Sequence, residues 1–203
     1  SEQGSEGWLL IRAPLFTASE AWKLMCVQKN GKPYAVRQDY ITEIALARIT
    51  GEAPQSFSSA DMAEGTAREP VARLAYEFDQ GVAVETTGLW HNDIYGASPD
   101  GIVGDDGGVE LKNPKPATHY KTLETGEIPD IYYWQVLQNL LATGREWWDY
   151  VSYHPKFTEE TQLFIKRINR ADVVDDLERL KTGLSKANAE VEQKIAFITE
   201  YKS

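Results

Sequence analysis

Apolar side chains in the first quarter of the chain recur at the spacing of amphipathic helices. Residues 36–49 carry one apolar face made of Ile41, Ile44, Ala45 and Ile49. This 3.6-residue period predicts a helix, and Gly51 supplies its end. Thr17 and Glu20 match a capping box, which predicts the start of a short helix over residues 21–25.

A second helical stretch covers residues 59–80 and contains a proline. Proline is tolerated in the first turn of a helix but not in its interior, so Pro70 predicts an interruption. Thr66 and Glu69 form another capping-box match beside this proline. We therefore expect the helix to restart near Thr66.

In the middle of the chain the pattern changes from a helical period to alternation. Apolar and polar residues alternate over 82–87, which predicts a strand, and 89–95 and 97–103 are further strand candidates. The run Asp-Asp-Gly-Gly at 105–108 predicts a turn before a short strand at 109–112.

The second half predicts one more helix, two strands and a long final helix. Pro129 suits the first turn of a helix over 131–141 that Gly144 ends. Two strand patterns lie on either side of a His154–Pro155 turn, at 147–153 and 162–168. A mostly polar helix follows over about 171–200.

This order of elements predicts a mixed α/β fold rather than a regularly alternating doubly wound one. The 203 residues, 42% of them hydrophobic, fit one domain over residues 1–203 with a central mixed sheet flanked by helices. No apolar run approaches the roughly 20 residues of a membrane-spanning helix. The single cysteine, Cys26, excludes a disulfide framework and a CxxC metal site, so we expect a protein of a reducing cytoplasm.

The net charge of −10 argues against an openly basic nucleic-acid surface. The excess acid is local: residues 61–110 hold 11 acids against two bases, Arg68 and Arg73, whereas residues 1–60 are balanced. Two interpretations are open. The acids form a solvated face, or some of them converge on a divalent cation, because neighbouring carboxylates ionise together only at a high cost without one.

The most informative segment joins Asp100 to the strand that carries Glu110, Leu111 and Lys112. Side chains two apart on a strand share a face, so Glu110 and Lys112 point together while Leu111 points to the core. A three-residue loop over residues 105–107 would pair residue 102 with 110 and residue 100 with 112. Asp100 then lies opposite Lys112 and diagonal to Glu110, whereas a two-residue turn places Asp100 on the other face. We therefore predict the three-residue loop or an equivalent bulge.

Two converging carboxylates suit a hard cation, Mg²⁺ with Mn²⁺ as a substitute, and the Leu111 backbone carbonyl offers a further oxygen. A metal there would polarise a phosphoryl oxygen and lower the pKa of a bound water from about 15.7 toward ~7. The Lys112 ammonium would orient that water or stabilise developing negative charge. The competing interpretation is a turn aspartate beside a surface ion pair of little energetic value.

Pro99-Asp100, nine residues and then Glu110-Leu111-Lys112 resemble the PD-(D/E)XK nuclease motif, which is weak when it stands alone. Further blocks support the resemblance in the same order along the chain: residues 2–8, Arg12, 17–20, 65–69, 98–101, 110–114, 134–138 and 153–155. On these blocks the chain is identified as a member of the lambda exonuclease and YqaJ-like viral recombinase family. The resemblance spans roughly residues 2–155.

The resemblance implies a Mg²⁺-dependent, processive 5′→3′ exonuclease that degrades one strand of linear double-stranded DNA from 5′-phosphorylated ends. The products would be mononucleotides and a 3′ single-stranded overhang for phage-type recombination by strand annealing. It also implies a homotrimeric ring threaded by DNA, a single-strand annealing protein as partner, no membrane, and a phage or prophage gene in a bacterial host. A ring is compatible with the net acidity, because DNA in a channel meets the local potential.

By matching position, the resemblance implies that Asp100 and Glu110 are metal ligands and that Lys112 is the catalytic lysine. It adds two residues to the site, the further acid Glu69, a third metal ligand, and the helix glutamine Gln135. It implies that the terminal 5′-phosphate is held by Arg12, Ser19 and Ser98. Among the basic residues of the balanced N-terminal part, we expect Lys29 to contact DNA.

Several of these residues also have ordinary structural interpretations. Glu69 completes a capping box, Gln135 is a satisfied amide on an amphipathic helix, Arg12 is a surface cation and Ser98 is a turn residue. The alternative function within the nucleases is an endonuclease or DNA-repair nuclease on the same core. Outside them stand a catalytically inactive DNA clamp and a glycosidase with paired carboxylates, against which the adjacent lysine argues.

Overall fold

The computed structural model describes residues 5–53 and 60–201, the side chains of residues 60–67 excepted. Its helices are α1 (Glu6–Arg12), α2 (Ala21–Met25), α3 (Val36–Thr50), α4 (Ala60–Gln80), α5 (Pro116–Thr125), α6 (Asp130–Thr143) and α7 (Val174–Glu200). Its strands are β1 (Phe16–Thr17), β2 (Trp90–His91), β3 (Tyr95–Ala97), β4 (Gly101–Val103), β5 (Gly107–Lys112), β6 (Trp147–Tyr153) and β7 (Leu163–Asn169). No helix within these described ranges is both long and apolar enough to span a membrane.

The strands form two mixed sheets. The larger sheet has the order β4-β5-β6-β7, with β5 and β6 parallel and the outer pairs antiparallel. The smaller sheet has the order β1-β3-β2. Parallel neighbours need a long crossover, and α5 and α6 provide it between β5 and β6. The predicted α/β class with a mixed sheet flanked by helices is confirmed, and the small sheet is an addition to it.

The two faces of the larger sheet pack against different helices. Trp148 and Tyr150 of β6 lie in a core shared with α2, α3, α6 and α7. On the other face, Tyr76 of α4 packs with Val109 and Leu111 of β5. Leu111 therefore points away from α6, as the alternation on this strand predicts, and its neighbours in sequence face α6.

Two helices that end at a glycine, α3 and α6, are correctly predicted, whereas α5, which ends at Gly126, was not predicted. Gly51 ends α3 and Gly144 ends α6, with φ of 70° and 72° in the left-handed region that favours glycine. Pro129 directly precedes α6, where its missing N–H costs no intrahelical bond. The two long strands after α6 also lie where the sequence predicts them.

The expectation of a helix break at Pro70 is wrong. Helix α4 runs through this residue and does not restart near Thr66, whose side chain lies outside the described part. Pro70 is exposed, whereas Ala72 and Tyr76 are fully buried, so the packing of this face supports a helix that has lost one backbone hydrogen bond.

The expected strand over 82–87 is also wrong. Only a single bridge, Glu85 with Ile102, is formed there. The Val84 amide donates to the Glu77 carboxylate of α4 at 2.7 Å instead of to a neighbouring strand. The alternation over residues 82–87 therefore reflects a segment that packs on α4 and forms one bridge, not a strand of a sheet.

The capping box at Thr17 does not form, although α2 begins where it is expected. A short 3₁₀ turn, Ala18–Glu20, leads into α2, and the Thr17 side chain caps nothing. The Thr17 amide donates to the Tyr40 hydroxyl at 2.9 Å, and Glu20 pairs with Lys23.

The loop between β4 and β5 has three residues, as predicted, but it lies one residue earlier. It consists of residues 104–106, and Gly104 takes the left-handed conformation with φ of 54°. Gly108 was expected in the turn but lies inside β5, under the ring of Trp148. A Cβ at Gly108 would come within 2.3 Å of that ring, so the glycine is required by packing.

Candidate active site

The shifted loop brings Asp100 level with Glu110 instead of with Lys112. Gly101 pairs with Val109, and Asp100 directly precedes β4. The Leu111 amide donates to Asp100 Oδ2 at 2.7 Å, which ties the carboxylate to the edge of β5. Because the loop has three residues, Asp100 lies on the same face of the sheet as Glu110, as predicted. The expected pairing of Asp100 with Lys112 is wrong.

Glu110 is a fully buried carboxylate that accepts three hydrogen bonds. Lys112 Nζ and Gln135 Nε2 both lie 2.6 Å from Oε1, and Asn139 Nδ2 lies 2.8 Å from Oε2. The two amides stand four residues apart on α6, one turn apart on the face that meets β5. Buried charge is tolerated only when it is paired and hydrogen-bonded, and Glu110 meets both conditions.

Lys112 is held between the two acids and an aromatic ring. Its Nζ lies 5.2 Å from the ring centre of Tyr132. Burial by itself lowers the pKa of Lys112, but the charges of Glu110 and Asp100 outweigh burial and raise the pKa above its usual value. The side chain is therefore an ammonium group under physiological conditions.

The surroundings of Asp100 disfavour its charged form, whereas those of Lys112 favour the charged form. Burial and the charge of Glu110 raise the pKa of Asp100 well above its usual range, and Glu69 adds to this. The Lys112 charge and the hydrogen bond from the Leu111 amide act in the other direction but are weaker. Two acids in this relation favour a cation between them.

A second group of polar side chains lies next to the acids. Arg12 Nη2 donates to Ser19 Oγ at 2.9 Å, and the guanidinium lies 4.9 Å from the ring centre of Trp8. Burial lowers the pKa of Arg12. Ser98 Oγ and Trp8 Nε1 are buried and find no partner among the described residues. The Ser98 hydroxyl, the Trp8 indole and the Arg12 guanidinium thus all retain donors for a ligand.

Both groups line one small cavity of about 140 Å³, referred to below as the site cavity. Its lining includes seven residues that the sequence singled out: Arg12, Ser19, Ser98, Asp100, Glu110, Lys112 and Gln135. The other lining residues are Trp8, Thr17, Ala18, Leu89 and Gly96.

Three predicted residues do not line the site cavity. Glu69 lies on α4, with its Oε1 3.6 Å from Arg73 Nη2. Leu111 points its side chain to the opposite core, and Lys29 is exposed in the loop closed by the Val27–Pro33 bridge. Within the described residues, no set of three or more acidic, histidine or cysteine side chains is arranged to hold a metal. Metal binding by Glu69 and by the Leu111 backbone carbonyl, and DNA binding by Lys29, stay predictions.

The sequence did not single out two side chains that organise this site. Asn139 bonds Glu110, and its spacing of four from Gln135 was a signal that could have indicated it. Arg73 Nη2 donates to the Asp100 carbonyl at 2.6 Å and so joins α4 to the strand that follows Asp100. No local pattern indicates the role of Arg73, because it depends on how α4 packs against the sheet.

The donor set fits a hard divalent cation. Asp100 and Glu110 offer carboxylate oxygens, the ligands that Mg²⁺ and Mn²⁺ prefer, and no sulfur or imidazole group lines the cavity. The acids already share one positive neighbour, Lys112, which shows that their surroundings favour positive charge. Mg²⁺ usually keeps several waters, so two protein carboxylates are enough for a site.

Comparisons with known proteins agree with this geometry. The model of the YqaJ-like viral recombinase domain matches residues 7–146. The chain is similar to the alkaline exonuclease LHK-Exo of Laribacter hongkongensis, alone and in complex with dAMP, with 35% identity, a TM-score of 0.85 and 97% of each chain covered. A phage-related exonuclease from Haemophilus somnus 129PT shares the fold, with 13% identity, a TM-score of 0.67, and 91% of this chain and 96% of that chain covered.

No curated protein matches the sequence. The family match nevertheless covers more than half of the chain and includes every residue of the site cavity. The chain therefore belongs to the family of YqaJ-like viral recombinase domains.

Proposed function

We propose that this chain is a divalent-cation-dependent exonuclease that degrades one strand of linear double-stranded DNA in the 5′→3′ direction. One observation carries the proposal: a carboxylate pair with a lysine shares a single small cavity with an arginine and free hydroxyl and indole donors. The first group suits phosphodiester hydrolysis and the second suits a terminal phosphate.

Asp100 and Glu110 would hold Mg²⁺, or Mn²⁺ in its place, with the Leu111 carbonyl and Glu69 as further oxygen donors. When bound, the cation would polarise the scissile phosphate and acidify a water molecule. Lys112 would stabilise negative charge that develops on the phosphate, since its ammonium already lies against Glu110. Gln135 lines the cavity and orients Glu110 from the side of α6.

Arg12, Ser19 and Ser98 would hold the terminal 5′-phosphate. A guanidinium carries five donors, and one bond to Ser19 leaves others for phosphate oxygens. A terminal phosphate carries more charge than an internal phosphodiester, so this pocket favours strand ends over internal sites. The similar Laribacter exonuclease has been solved with dAMP, a mononucleotide.

Processive digestion would follow if three copies form a ring around the duplex. In such a ring, Lys29 at its exposed loop would meet the duplex, and the acidic surface would not oppose binding, because DNA in a channel meets the local potential. The 3′ overhang would pass to a single-strand annealing protein for phage-type recombination. The trimer and this partner rest on the family resemblance, and mass measurement in solution tests the trimer.

The test is digestion of a linear duplex with 5′-phosphates and a 3′ label, compared with a covalently closed circle of the same sequence. We expect mononucleotides and a long 3′ single strand from the linear duplex with Mg²⁺, no products with a chelator, and an intact circle. Lys112→Ala should abolish turnover. Lys181→Ala is the matched control, because Lys181 is exposed, pairs with the exposed Glu178 on α7 and does not line the site cavity.

Three results would contradict the proposal in different ways. Rapid cutting of the circle would indicate the endonuclease or repair nuclease. Undiminished hydrolysis by Lys112→Ala would remove the lysine from the mechanism. Duplex binding without hydrolysis, with either cation, would indicate a DNA clamp.

A further inference from the structure

Asn139 is a buried polar residue that the proposed function leaves without a role. It lies on α6 with no exposed surface, between the buried apolar residues Val136, Leu137 and Leu140. Its Nδ2 donates to Glu110 Oε2 at 2.8 Å, and its Oδ1 finds no partner among the described residues. The unpaired Oδ1 costs desolvation energy, so packing alone does not explain an amide at this position, whereas the bond to the buried carboxylate does.

The hydrogen bonds of Glu110 separate its two oxygens. Oε1 bonds Lys112 and Gln135, both of which line the site cavity. Oε2 bonds Asn139, which does not line the cavity. Rotation of the carboxylate about its last bond would break the bond to Asn139 unless the two equivalent oxygens fully exchange places.

We propose that Asn139 is a positioning residue that holds Oε2 of Glu110 away from the cavity and leaves Oε1 as the oxygen offered to the cation. This inference rests on the proposed function, because it assigns Glu110 to the cation. Asn139 touches neither substrate nor cavity, so it acts only through Glu110. Gln135 differs, because it lines the cavity and bonds the oxygen that faces the ligand.

The inference predicts a loss of metal affinity when the donor is removed. Asn139→Leu keeps the branched shape of the side chain but has no donor for Glu110. Partners behind a metal ligand typically contribute about 10- to 100-fold in affinity, and we expect a loss in that range. The affinity for DNA ends, measured as KM at saturating Mg²⁺, should not change.

The control removes a comparable hydrogen bond on the opposite face of the sheet. The Tyr76 hydroxyl donates to the buried Asp149 carboxylate at 2.7 Å, and neither residue lines the site cavity. Tyr76→Phe thus costs one bond to a buried carboxylate without touching Glu110. It should bind metal as the unaltered protein does.

The experiment titrates the full chain with Mn²⁺ in the absence of DNA, following free Mn²⁺ by its electron paramagnetic resonance signal. Circular dichroism melting checks the fold of each variant, and Asn139→Ala replaces Asn139→Leu if the latter does not fold. Weaker Mn²⁺ binding by the folded Asn139 variant, with Tyr76→Phe unchanged, supports the inference. Equal Mn²⁺ binding by the folded Asn139 variant and the unaltered protein overturns it. Failure of the unaltered protein to bind Mn²⁺ would instead overturn the proposed function.

Discussion

Removing the Arg12 guanidinium should abolish the preference for 5′-phosphorylated ends while leaving hydrolysis itself intact. Arg12 donates one hydrogen bond to Ser19 at 2.9 Å and lines the site cavity. Hydrogen bonds to a charged group contribute about 1.5–3 kcal/mol each. Because about 1.4 kcal/mol is tenfold in an equilibrium, losing one such bond predicts a decrease of roughly 10- to 150-fold.

The assay compares kcat/KM on two linear duplexes that differ only in a 5′-phosphate or a 5′-hydroxyl. Arg12→Ala should lower kcat/KM for the 5′-phosphorylated duplex by roughly 10- to 150-fold. It should leave kcat/KM for the 5′-hydroxyl duplex nearly unchanged. Arg12→Lys keeps the charge but not the planar fork, so we expect an intermediate loss.

Arg12 also packs on Trp8, and this contact complicates a simple loss of activity. A guanidinium over an indole contributes about 0.5–2 kcal/mol, so Arg12→Ala should also lower the melting temperature. The ratio of the two substrates cancels this effect, because both are measured on the same folded protein. An equal loss on both duplexes would refute the assignment of Arg12 to the terminal phosphate.

Three further predictions concern the surroundings of the site. Gly108→Ala should destabilise the fold by about 1–3 kcal/mol in urea unfolding, because its Cβ would meet an indole ring. Gly7→Ala is the control, because a Cβ at Gly7 meets nothing within 4 Å. Equal stability of the two variants would contradict the packing argument. Burial lowers the pKa of His119, so the folded state favours the neutral ring. The neutral ring therefore stabilises the folded state fully at pH values above about 6.5, the pKa of histidine in the unfolded chain. This stabilisation is lost as the pH falls from that value through the lower pKa of the folded state. His119→Gln should weaken the dependence of the urea unfolding midpoint on pH between about pH 7.5 and 5.5. An unchanged dependence on pH would contradict this prediction. Arg73→Lys should reduce kcat by about 10- to 100-fold with little change in KM, because it loosens the Asp100 carbonyl; an unchanged kcat would show that Asp100 needs no such support.

Local signals were sufficient where one residue decides one conformation. Gly51 and Gly144 end their helices because the left-handed conformation is cheap only for glycine. Gly107 and Gly108 are also glycines, but they are required for a different reason. These glycines make room for tryptophans some 40 positions later in the chain, and no local rule distinguishes that requirement from a turn.

The site was predictable to the extent that it depends on strand alternation. Glu110 and Lys112 face one way and Leu111 the other because a strand has a period of two. The partner of Asp100 was misplaced by one residue of loop position, since Gly104 and Gly107 both suit a left-handed turn. Asn139 could have been found from its spacing of four from Gln135, but only the packing of α6 on β5 shows that both amides bond the same carboxylate.

The acidic middle of the chain contains both solvated acids and acids that converge in the site cavity. Of the acids in residues 61–110 whose side chains are described, five are exposed to solvent: Asp79, Glu85, Asp93, Asp105 and Asp106. Only Asp100 and Glu110 enter the site cavity. Solvated carboxylates at the surface are screened by salt within about 10 Å at 0.1 M, whereas charges in the cavity are screened much less. The proposed need for a cation therefore depends on the two acids of the site cavity, and the net charge of the segment says little about it.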